Sequence, residues 1–437
     1  MKLTQIVIAS LALVAMAEQA QAVTRVSGAS ATAVNVVEAL STNNVCPSNS
    51  VLVYKRGTST SSLGNNFTVK CTSGNFGTSG ENEVQFDVNG GSLNAILFST
   101  AGASEALAGN GGFLPSTTTG CTGVAGTGAL AFLTGTKLQN CAAAAPLTSG
   151  KSAGGFLDVE PALFKAANLI SGNYTVKPAT FSQVFGVAVS KDLYEALQGA
   201  QGLTVGIANA TPANQPTISK SQLVSLISNF DFNDAKNLGP KFLVPGTAQT
   251  NLTYCRRPNT SGTQAAAEAY FLGNPGLTGP LAGALTIHDP VNDGDADVVA
   301  DNGTGNTVTY KINSTSGNVR TCLDAAGFAF GFLSAENNPV GTNNYRFVKL
   351  SQADFAEGVA GSSQTASAIK GAYDYVFESV LFNPNAATTV AGKVLDLINK
   401  SIKTGPTTPG VFLNVNSTTP ESLYTRGGNS LAPYATN

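Results

Sequence analysis

The 437-residue chain contains no tryptophan and a single histidine, His288. Without tryptophan, a sugar-binding site would have to stack its ligand on tyrosine alone. With one histidine and no Cys-x-x-Cys pair, a zinc site lacks its usual ligands. A Ser-His-Asp triad could use only His288, which lies in an acidic segment, and there is no P-loop lysine. These absences favour a binding or structural protein over an enzyme, and we expect no cofactor.

Charge is also scarce, because charged residues make up 11% of the sequence, against about 25% in an average protein. The 24 basic and 26 acidic residues give a formal net charge of −2 at pH 7. Without basic runs, the chain has no electrostatic footprint for nucleic acid or for an anionic membrane. With 42% hydrophobic residues it can build a large core, and its length suggests at least two lobes.

Long apolar runs are limited to the N-terminus. Lys2 precedes the apolar run Ile6–Ala17, and Ala20 and Ala22 form a small-x-small cleavage signal. This pattern is typical of a secretory signal peptide over residues 1–22, and the run is too short for a membrane span. We therefore expect a periplasmic or extracellular protein whose mature form has no membrane span.

The cysteine count is even, which in an exported protein is typical of structural disulfides. Six cysteines allow fifteen pairings. Sequential pairing would keep each bridge within one lobe, and we favour it for that reason. The bridges expected on this basis are Cys46–Cys71, Cys121–Cys141 and Cys255–Cys322.

Strand-like and helix-like segments alternate along the mature chain. Residues 84–88 alternate apolar and polar side chains, residues 183–189 read as a buried strand, and residues 391–401 have helical spacing. This order predicts the α/β class, with mixed, mainly parallel sheets flanked by helices and with ligand sites at strand carboxyl ends. Small-residue turns occur at four predicted strand-to-helix junctions, around Ser30, Ser92, Asp158 and Ser261.

The segment from Arg257 to Thr263 combines an arginine with a predicted helix start. Small polar residues lead into an Ala-rich helical pattern, which Ser261 or Thr263 can cap. The first backbone N–H groups of a helix lack intrahelical partners, and with the positive end of the helix dipole they attract anions. Arg257 can add a bidentate fork that matches a phosphate or a carboxylate. A capped helix beside a surface arginine is the alternative explanation of this local pattern.

In motif order, the mature chain resembles the periplasmic phosphate-binding proteins of ABC uptake systems and their secreted, DING-type relatives. The most specific match is Arg257-x-x-x-Ser261-Gly262-Thr263, which is similar to the family's Arg-x-Asp-Gly-Ser-Gly-Thr signature. Further motifs similar to those of the family are Ser27–Ala31, Asn89–Ser92, Gly155–Pro161, Gln215–Ile227 and Gly327–Leu333.

The resemblance implies a two-lobed, periplasmic-binding-protein-like α/β fold with a hinge between the lobes. Lobe one would comprise residues 23–185 and 375–437, lobe two residues 186–374, and residues 110–153 would be an insertion. The implied function is that of an exported solute-binding protein, which captures phosphate or a similar tetrahedral oxyanion between the lobes for an ABC permease. The alternative is a secreted or cell-surface structural or interaction protein that reuses this fold.

Carried over residue by residue, the resemblance implies one oxyanion surrounded by hydroxyls, helix-start N–H groups and an arginine. Arg257 would supply the charge, and an ionised Asp158 would accept a hydrogen bond from a protonated ligand oxygen. Because sulfate has no such proton, Asp158 would select hydrogen phosphate over sulfate. The implied ligand-binding residues are Ser30, Ala31, Ser92, Asp158, Arg257, Ser261, Gly262 and Thr263.

The chain departs from the family pattern at three positions near this site. Asn259 stands where the family usually has an Asp that pairs with the arginine, so Arg257 would be held less firmly. Ala31 replaces an aromatic residue, although the contact expected there is through its backbone N–H, and Leu157 replaces a serine donor. The neighbouring Arg256 is expected at the surface, unless the register shifts by one and it takes the binding role.

Acidic residues cluster in one other segment, between residues 289 and 301. Their spacing is similar to that of an oxygen cage for calcium, but the third and twelfth positions lack the residues of an EF-hand loop. A solvated surface loop is therefore expected, and a calcium site is the weaker alternative. Its ligands would be Asp289, Asp293, Asp295 and Asp297.

Overall fold

The computed structural model describes most of the chain from residue 23 onward. The predicted signal peptide and three residues of the candidate calcium site, Asp289, Asp293 and Asp295, lie outside the described residues, as does His288. The described ranges are residues 23–100, 112–165, 174–208, 211–228, 239–273, 297–301, 305–325, 327–339, 343–351, 361–402 and 410–436.

Side-chain caps mark the starts of several helices. Ser190, Ser219, Ser261, Thr315 and Thr389 each accept a hydrogen bond from a first-turn backbone N–H, a donor that has no partner within the helix. The predicted C-terminal helix is confirmed, with a start one residue earlier. The helices are α1 (Ala33–Leu40), α2 (Asn94–Thr100), α3 (Lys191–Ala200), α4 (Lys220–Ile227), α5 (Pro240–Leu243), α6 (Gly262–Leu272), α7 (Ser316–Asp324), α8 (Gly361–Ile369) and α9 (Val390–Ser401).

The strands form two large sheets and two short pairs. They are β1 (Thr24–Ser27), β2 (Val51–Arg56), β3 (Asn66–Cys71), β4 (Glu83–Asp87), β5 (Thr122–Val124), β6 (Leu138–Cys141), β7 (Gly155–Leu157), β8 (Val176–Ser190), β9 (Thr217–Ser219), β10 (Asn251–Arg256), β11 (Val298–Asp301), β12 (Thr307–Ile312), β13 (Phe328–Ser334), β14 (Tyr345–Phe347), β15 (Lys349–Ser351), β16 (Val376–Phe382), β17 (Val411–Leu413), β18 (Tyr424–Thr425) and β19 (Ala435–Thr436).

The first sheet has the order β1-β4-β3-β2-β6-β5. Apolar side chains from this sheet pack with those of α1 and α9 into one core, in which the rings of Phe67 and Phe86 stack at 4.7 Å. The stretch predicted as an insertion supplies β5 and β6, and β6 pairs in parallel with β2. This stretch therefore extends the sheet and does not merely decorate its surface.

The second sheet has the order β11-β12-β10-β13-β8-β16-β7, and β14 and β17 also pair with β8. Within β8, residues 176–184 pair with β16 and β17, whereas residues 185–190 pair with β13 and β14. The predicted lobe boundary at residues 185 and 186 therefore falls inside one continuous strand. The division into lobes stays a prediction.

Mixed sheets flanked by helices are confirmed, but the expectation that they are mainly parallel is wrong for the described residues. Parallel pairing is limited there to β1 with β4, β2 with β6, β10 with β12 and β13, and β9 with β15. The long strand β8 is antiparallel to each strand that it pairs with. Strand-helix alternation along the sequence does not reveal this, because β8 pairs with strands far away in the chain.

Three disulfides join consecutive cysteines, so the favoured sequential pairing is confirmed. Cys46–Cys71 links the segment after α1 to the end of β3, and Cys121–Cys141 ties β6 to the loop before β5. Cys255–Cys322 links β10 to α7, close to the predicted anion site. Disulfides of this kind are typical of proteins that fold in an oxidising compartment.

In the described part of the chain, every helix is too short or too polar to cross a membrane.

Candidate functional site

Parallel pairing brings the predicted anion-binding loops to common sheet edges. In the first sheet Ser27 lies opposite Asp87, so the loops after β1 and β4 begin side by side. In the second sheet Arg256 lies opposite Ile312, which places the loop before α6 next to the loop before α7. Loops at the carboxyl ends of parallel strands are the usual place for ligands in α/β proteins.

The loop after β4 packs directly on the loop before α6. The backbone N–H of Leu93 donates to the carbonyl of Thr260 at 3.1 Å, and the Thr260 hydroxyl donates to the carbonyl of Gly90. Gly91 has a φ of 112°, and a Cβ there would lie 2.4 Å from the Thr260 carbonyl. A side chain at Gly91 would therefore separate Ser92 from the start of α6.

Strand β7 brings Asp158 next to the loop after β4 and the loop before α6. The backbone N–H of Ala29 donates to the carbonyl of Phe156 at 2.9 Å, and that of Ser27 donates to the carbonyl of Gly154 at 3.1 Å. A Cβ on Gly155 would lie 1.7 Å from the Ser27 carbonyl, so this contact depends on glycine. The loop after β1 is thus fixed to β7, and Asp158 is the first residue after that strand.

Asp158 and Ser92 meet at the first residue of α6. A Cβ built on Gly262 would lie 2.2 Å from both the Asp158 Oδ2 and the Ser92 Oγ. Ser261 caps this helix by accepting the N–H of Gln264, and Thr263 is buried in the first turn. The predicted loop residues therefore converge around the positive end of α6, where backbone N–H groups lack helical partners.

The side chain of Arg257 extends from this loop toward the start of α7. Its backbone N–H donates to the Gln264 side chain at 3.2 Å, and its Nη1 donates to the Ser316 hydroxyl at 2.8 Å. Its Nη2 donates to the carbonyl of Ser314 at 3.3 Å. These contacts fix a buried guanidinium beside Asp158.

The titration behaviour of these two residues reflects their burial and proximity. Burial raises the pKa of Asp158 to about 7, although the Arg257 guanidinium and the Ser92 hydroxyl act to lower it. Burial lowers the pKa of Arg257 to about 10, although the carboxylates of Asp158 and Glu336 act to raise it. Opposite charges in a low-dielectric environment affect each other in this way.

Several polar atoms of the site are buried without a hydrogen-bond partner of regular geometry. They belong to Ser92 (Oγ), Asp158 (Oδ1) and Arg257 (Nε), and Ser27 at the end of β1 adds its Oγ. Most buried polar atoms in proteins are paired, since each unpaired one costs about 1–3 kcal/mol. Donors and acceptors grouped in this way at a helix start are those that a bound polar ligand could satisfy.

Ser30 and Ala31 lie in a short 3-10 turn, Ser30–Thr32, just before α1. Ser30 is partly exposed and Ala31 is buried. Their loop reaches the rest of the site through Ala29 and Gly28, which contact Phe156 of β7. The other predicted residues, from Ser92 to Thr263, are buried together around α6.

Arg256 is fully buried, so the expectation of a surface charge is wrong. Its Nη1 donates to the Arg257 carbonyl, its Nη2 donates to the Asn259 side chain, and it forms a 3.4 Å ion pair with Glu268 of α6. Asn259 therefore holds Arg256. Arg256 is the last residue of β10 and lies on the same face of the strand as the buried Leu252 and Tyr254, whereas Arg257 begins the loop.

Glu336 is a site residue that no sequence motif indicates. Just after β13, it accepts hydrogen bonds from Ser334 at 2.6 Å, Asn337 at 2.8 Å and Gln183 at 3.0 Å. It is close enough to act electrostatically on Arg257 and Asp158, and burial raises its pKa to about 7. Its contacts depend on the antiparallel pairing of β13 with β8, which sequence spacing does not reveal.

Two other features do not form comparable sites in the described residues. Of the calcium candidate, only Asp297 is described, and it is exposed. No group of metal-ligating side chains is found among the described residues.

Gly150–Gly154 has the Gly-x-Ser-x-Gly spacing of a nucleophile elbow, but it precedes β7, whereas an elbow follows a strand and opens a helix. Its serine, Ser152, is buried and donates to the Gly154 carbonyl at 2.9 Å.

No protein-family model matches the chain, and no curated protein matches it significantly. Among solved structures, it is similar to a protein from Clostridium perfringens described as a phosphate ABC transporter substrate-binding protein with bound phosphate. The TM-score is 0.38 at 12% identity, over 87% of this chain and 95% of that one. An ABC-type phosphate transport receptor from Vibrio cholerae aligns with a TM-score of 0.31 at 12% identity, over 56% of this chain and 72% of that one. A possible phosphate binding protein from Planctomyces limnophilus aligns with a TM-score of 0.28 at 11% identity, over 48% and 56%.

With TM-scores this low, the likenesses carry no functional argument. Any assignment of function to this chain therefore rests on the site itself.

Proposed function

We propose that this chain is an exported solute-binding protein that captures phosphate or a similar tetrahedral oxyanion at the start of α6. The observation that carries the proposal is the group of buried polar atoms on Ser92, Asp158 and Arg257 that lack a hydrogen-bond partner of regular geometry. They lie beside helix-start N–H groups and a guanidinium, which are the donors that an oxyanion requires. Ser30, Ala31, Ser261, Gly262 and Thr263 would complete the ligand's surroundings.

The site would select its anion through Asp158. An ionised carboxylate is only an acceptor, so it can bind an anion that keeps a proton, such as hydrogen phosphate or hydrogen arsenate. Sulfate would place two acceptors face to face, and that contact is unfavourable. The predicted ligand order is therefore phosphate and arsenate well above sulfate.

Calorimetric titration of the purified mature protein with phosphate, arsenate and sulfate at pH 8, above the pKa of Asp158, tests this proposal. We expect heat and a higher melting temperature with phosphate and arsenate, and a much weaker response to sulfate. Ser92→Ala should weaken binding, whereas Ser79→Ala, at a buried serine in the loop before β4, is the matched control. No response to any of the three anions at millimolar concentration would overturn the proposal.

Uptake through an ABC permease, from a periplasmic or extracellular location, is part of the same proposal. The disulfides support an oxidising compartment. Stimulation of phosphate import in cells that carry a cognate permease would support the uptake role. If the protein binds phosphate but import is unchanged by its deletion, a secreted structural or interaction role takes precedence.

A further inference from the structure

Two carboxyl groups and two guanidinium groups form a connected electrostatic cluster at the site. Glu336 follows β13, which pairs in parallel with β10, so it emerges at the same sheet edge as Arg257. Asp158 and Glu336 both act electrostatically on Arg257, and Arg320 of α7 acts on Glu336. Tyr345, whose pKa burial raises to about 12, stays neutral beside Arg320, Asp324 and Glu336. When Asp158 and Glu336 are ionised, they balance the charges of the two arginines, and the half-exposed Asp324 adds a further negative charge near Tyr345.

An oxyanion that enters this cluster adds negative charge to a balanced, buried set of groups. Buried charge without compensation is costly, so the cluster gains by neutralising it. Asp158 can stay ionised because it accepts the ligand's own proton, but the bound anion disfavours the ionised form of a second nearby carboxyl group, because like charges repel. Proton uptake by a carboxyl group removes one negative charge and creates an O–H donor that can point toward an oxygen.

Gln183 is suited to both protonation states of Glu336. Its Nε2 donates to the Glu336 Oε2 at 3.0 Å, while its own Oε1 is buried without a partner. If the amide turns over, that oxygen can accept a hydrogen bond from a protonated Glu336. The unpaired amide oxygen of Gln183 is an observation independent of the charge count, and it also favours a protonated Glu336.

We propose that Glu336 is a second carboxyl group of the anion site and takes up a proton when the anion binds. This inference rests on the proposed function. It identifies the ligand as an anion that is captured together with protons from solution. Affinity should consequently fall as the pH rises above 7, where the ionisation of phosphate only increases the supply of hydrogen phosphate and does not lower binding.

Phosphate titration of the wild-type protein and Glu336→Gln at pH 8, in buffers of different ionisation enthalpy, measures the protons taken up per phosphate. We expect Glu336→Gln to bind phosphate with about one proton fewer than wild type. Between pH 7 and pH 9, its affinity should also fall less steeply, by up to about tenfold less per pH unit. Glu378→Gln is the control, because Glu378 is a buried carboxylate held by Thr425, Arg426 and Gly428.

The outcomes separate this inference from the proposed function. If Glu336→Gln binds phosphate with unchanged proton uptake and pH dependence, the inference is overturned and the proposed function stands. If the wild-type protein binds no phosphate, both are overturned. Infrared difference spectra of wild-type protein with labelled glutamate give a check that needs no variant. A protonated carboxyl band should appear on phosphate addition, and its absence would also overturn the inference.

Discussion

Two buried arginines of this protein have opposite surroundings. Arg426, in the C-terminal segment, donates through all three guanidinium nitrogens to the carbonyls of Val376, Asp374 and Ala432. It also packs over the ring of Phe377 at 4.9 Å. Arg257, by contrast, keeps an unpaired Nε and lies beside Asp158, which has an unpaired oxygen of its own. Complete pairing indicates a structural role for Arg426, and the incomplete pairing of Arg257 fits the ligand-binding role proposed for it.

The largest expected effect on stability comes from Arg426→Ala. This change leaves three carbonyl groups without their donor and removes the contact with Phe377, so we expect a loss of about 3 kcal/mol or more in the free energy of unfolding. Denaturant unfolding measures it. Arg257→Ala should cost clearly less stability, and equal losses for the two variants would contradict the comparison.

The reverse order is expected for ligand binding. Arg257→Ala removes the countercharge of a buried anion and should weaken phosphate binding by about 2–5 kcal/mol. Arg257→Lys should recover only part of the loss, because an ammonium lacks the planar fork. Calorimetry at one pH compares both with Arg426→Lys, and a loss in that control as large as in Arg257→Ala would refute the assignment.

The pH dependence of stability sharpens the comparison further. Burial raises the pKa of Asp158 to about 7 in the folded protein, whereas an unfolded chain has a value of about 4. The folded state therefore binds this proton more tightly, so the contribution of Asp158 to stability should be greatest below pH 4 and fall as the pH rises toward 7. The slope of the free energy of unfolding should approach about 1.4 kcal/mol per pH unit, and Asp158→Asn should flatten it.

Ligand-free melting curves from pH 4 to pH 8 test this expected slope, with Asp396→Asn, at a half-buried aspartate on α9, as the control. An identical slope in Asp158→Asn and wild type would contradict the expectation.

The smallest effect is expected for Asn259→Asp. Because Asn259 accepts a hydrogen bond from Arg256, a carboxylate there should strengthen that structural pair and change phosphate affinity by no more than about twofold. The resemblance to the phosphate-binding family implied the opposite, a firmer Arg257 and tighter binding. A large gain in affinity would show that the introduced carboxylate reaches Arg257 after all.

Features that depend on neighbouring residues were predicted from the sequence better than features that depend on the pairing of distant strands. The cap at Ser261 and the helix after it follow from neighbouring residues, and the structure contains both. The burial of Arg256 was missed because residues next to each other at a strand end can point to opposite sides. Glu336 was missed because it approaches the site only through the pairing of β13 with β8, strands separated by well over a hundred residues. The residues around α6 are buried together as the motifs implied, but their role in binding stays a proposal.

The sequential order of the three disulfides has a consequence for biogenesis. A chain that is translocated from its N-terminus presents Cys46 and Cys71 to the oxidising side before Cys121 and Cys141, and the last pair follows. An oxidase that simply joins each newly exposed thiol to the preceding free one would therefore produce the native set. Such a protein has no need of a disulfide isomerase, and it should mature in cells that lack one.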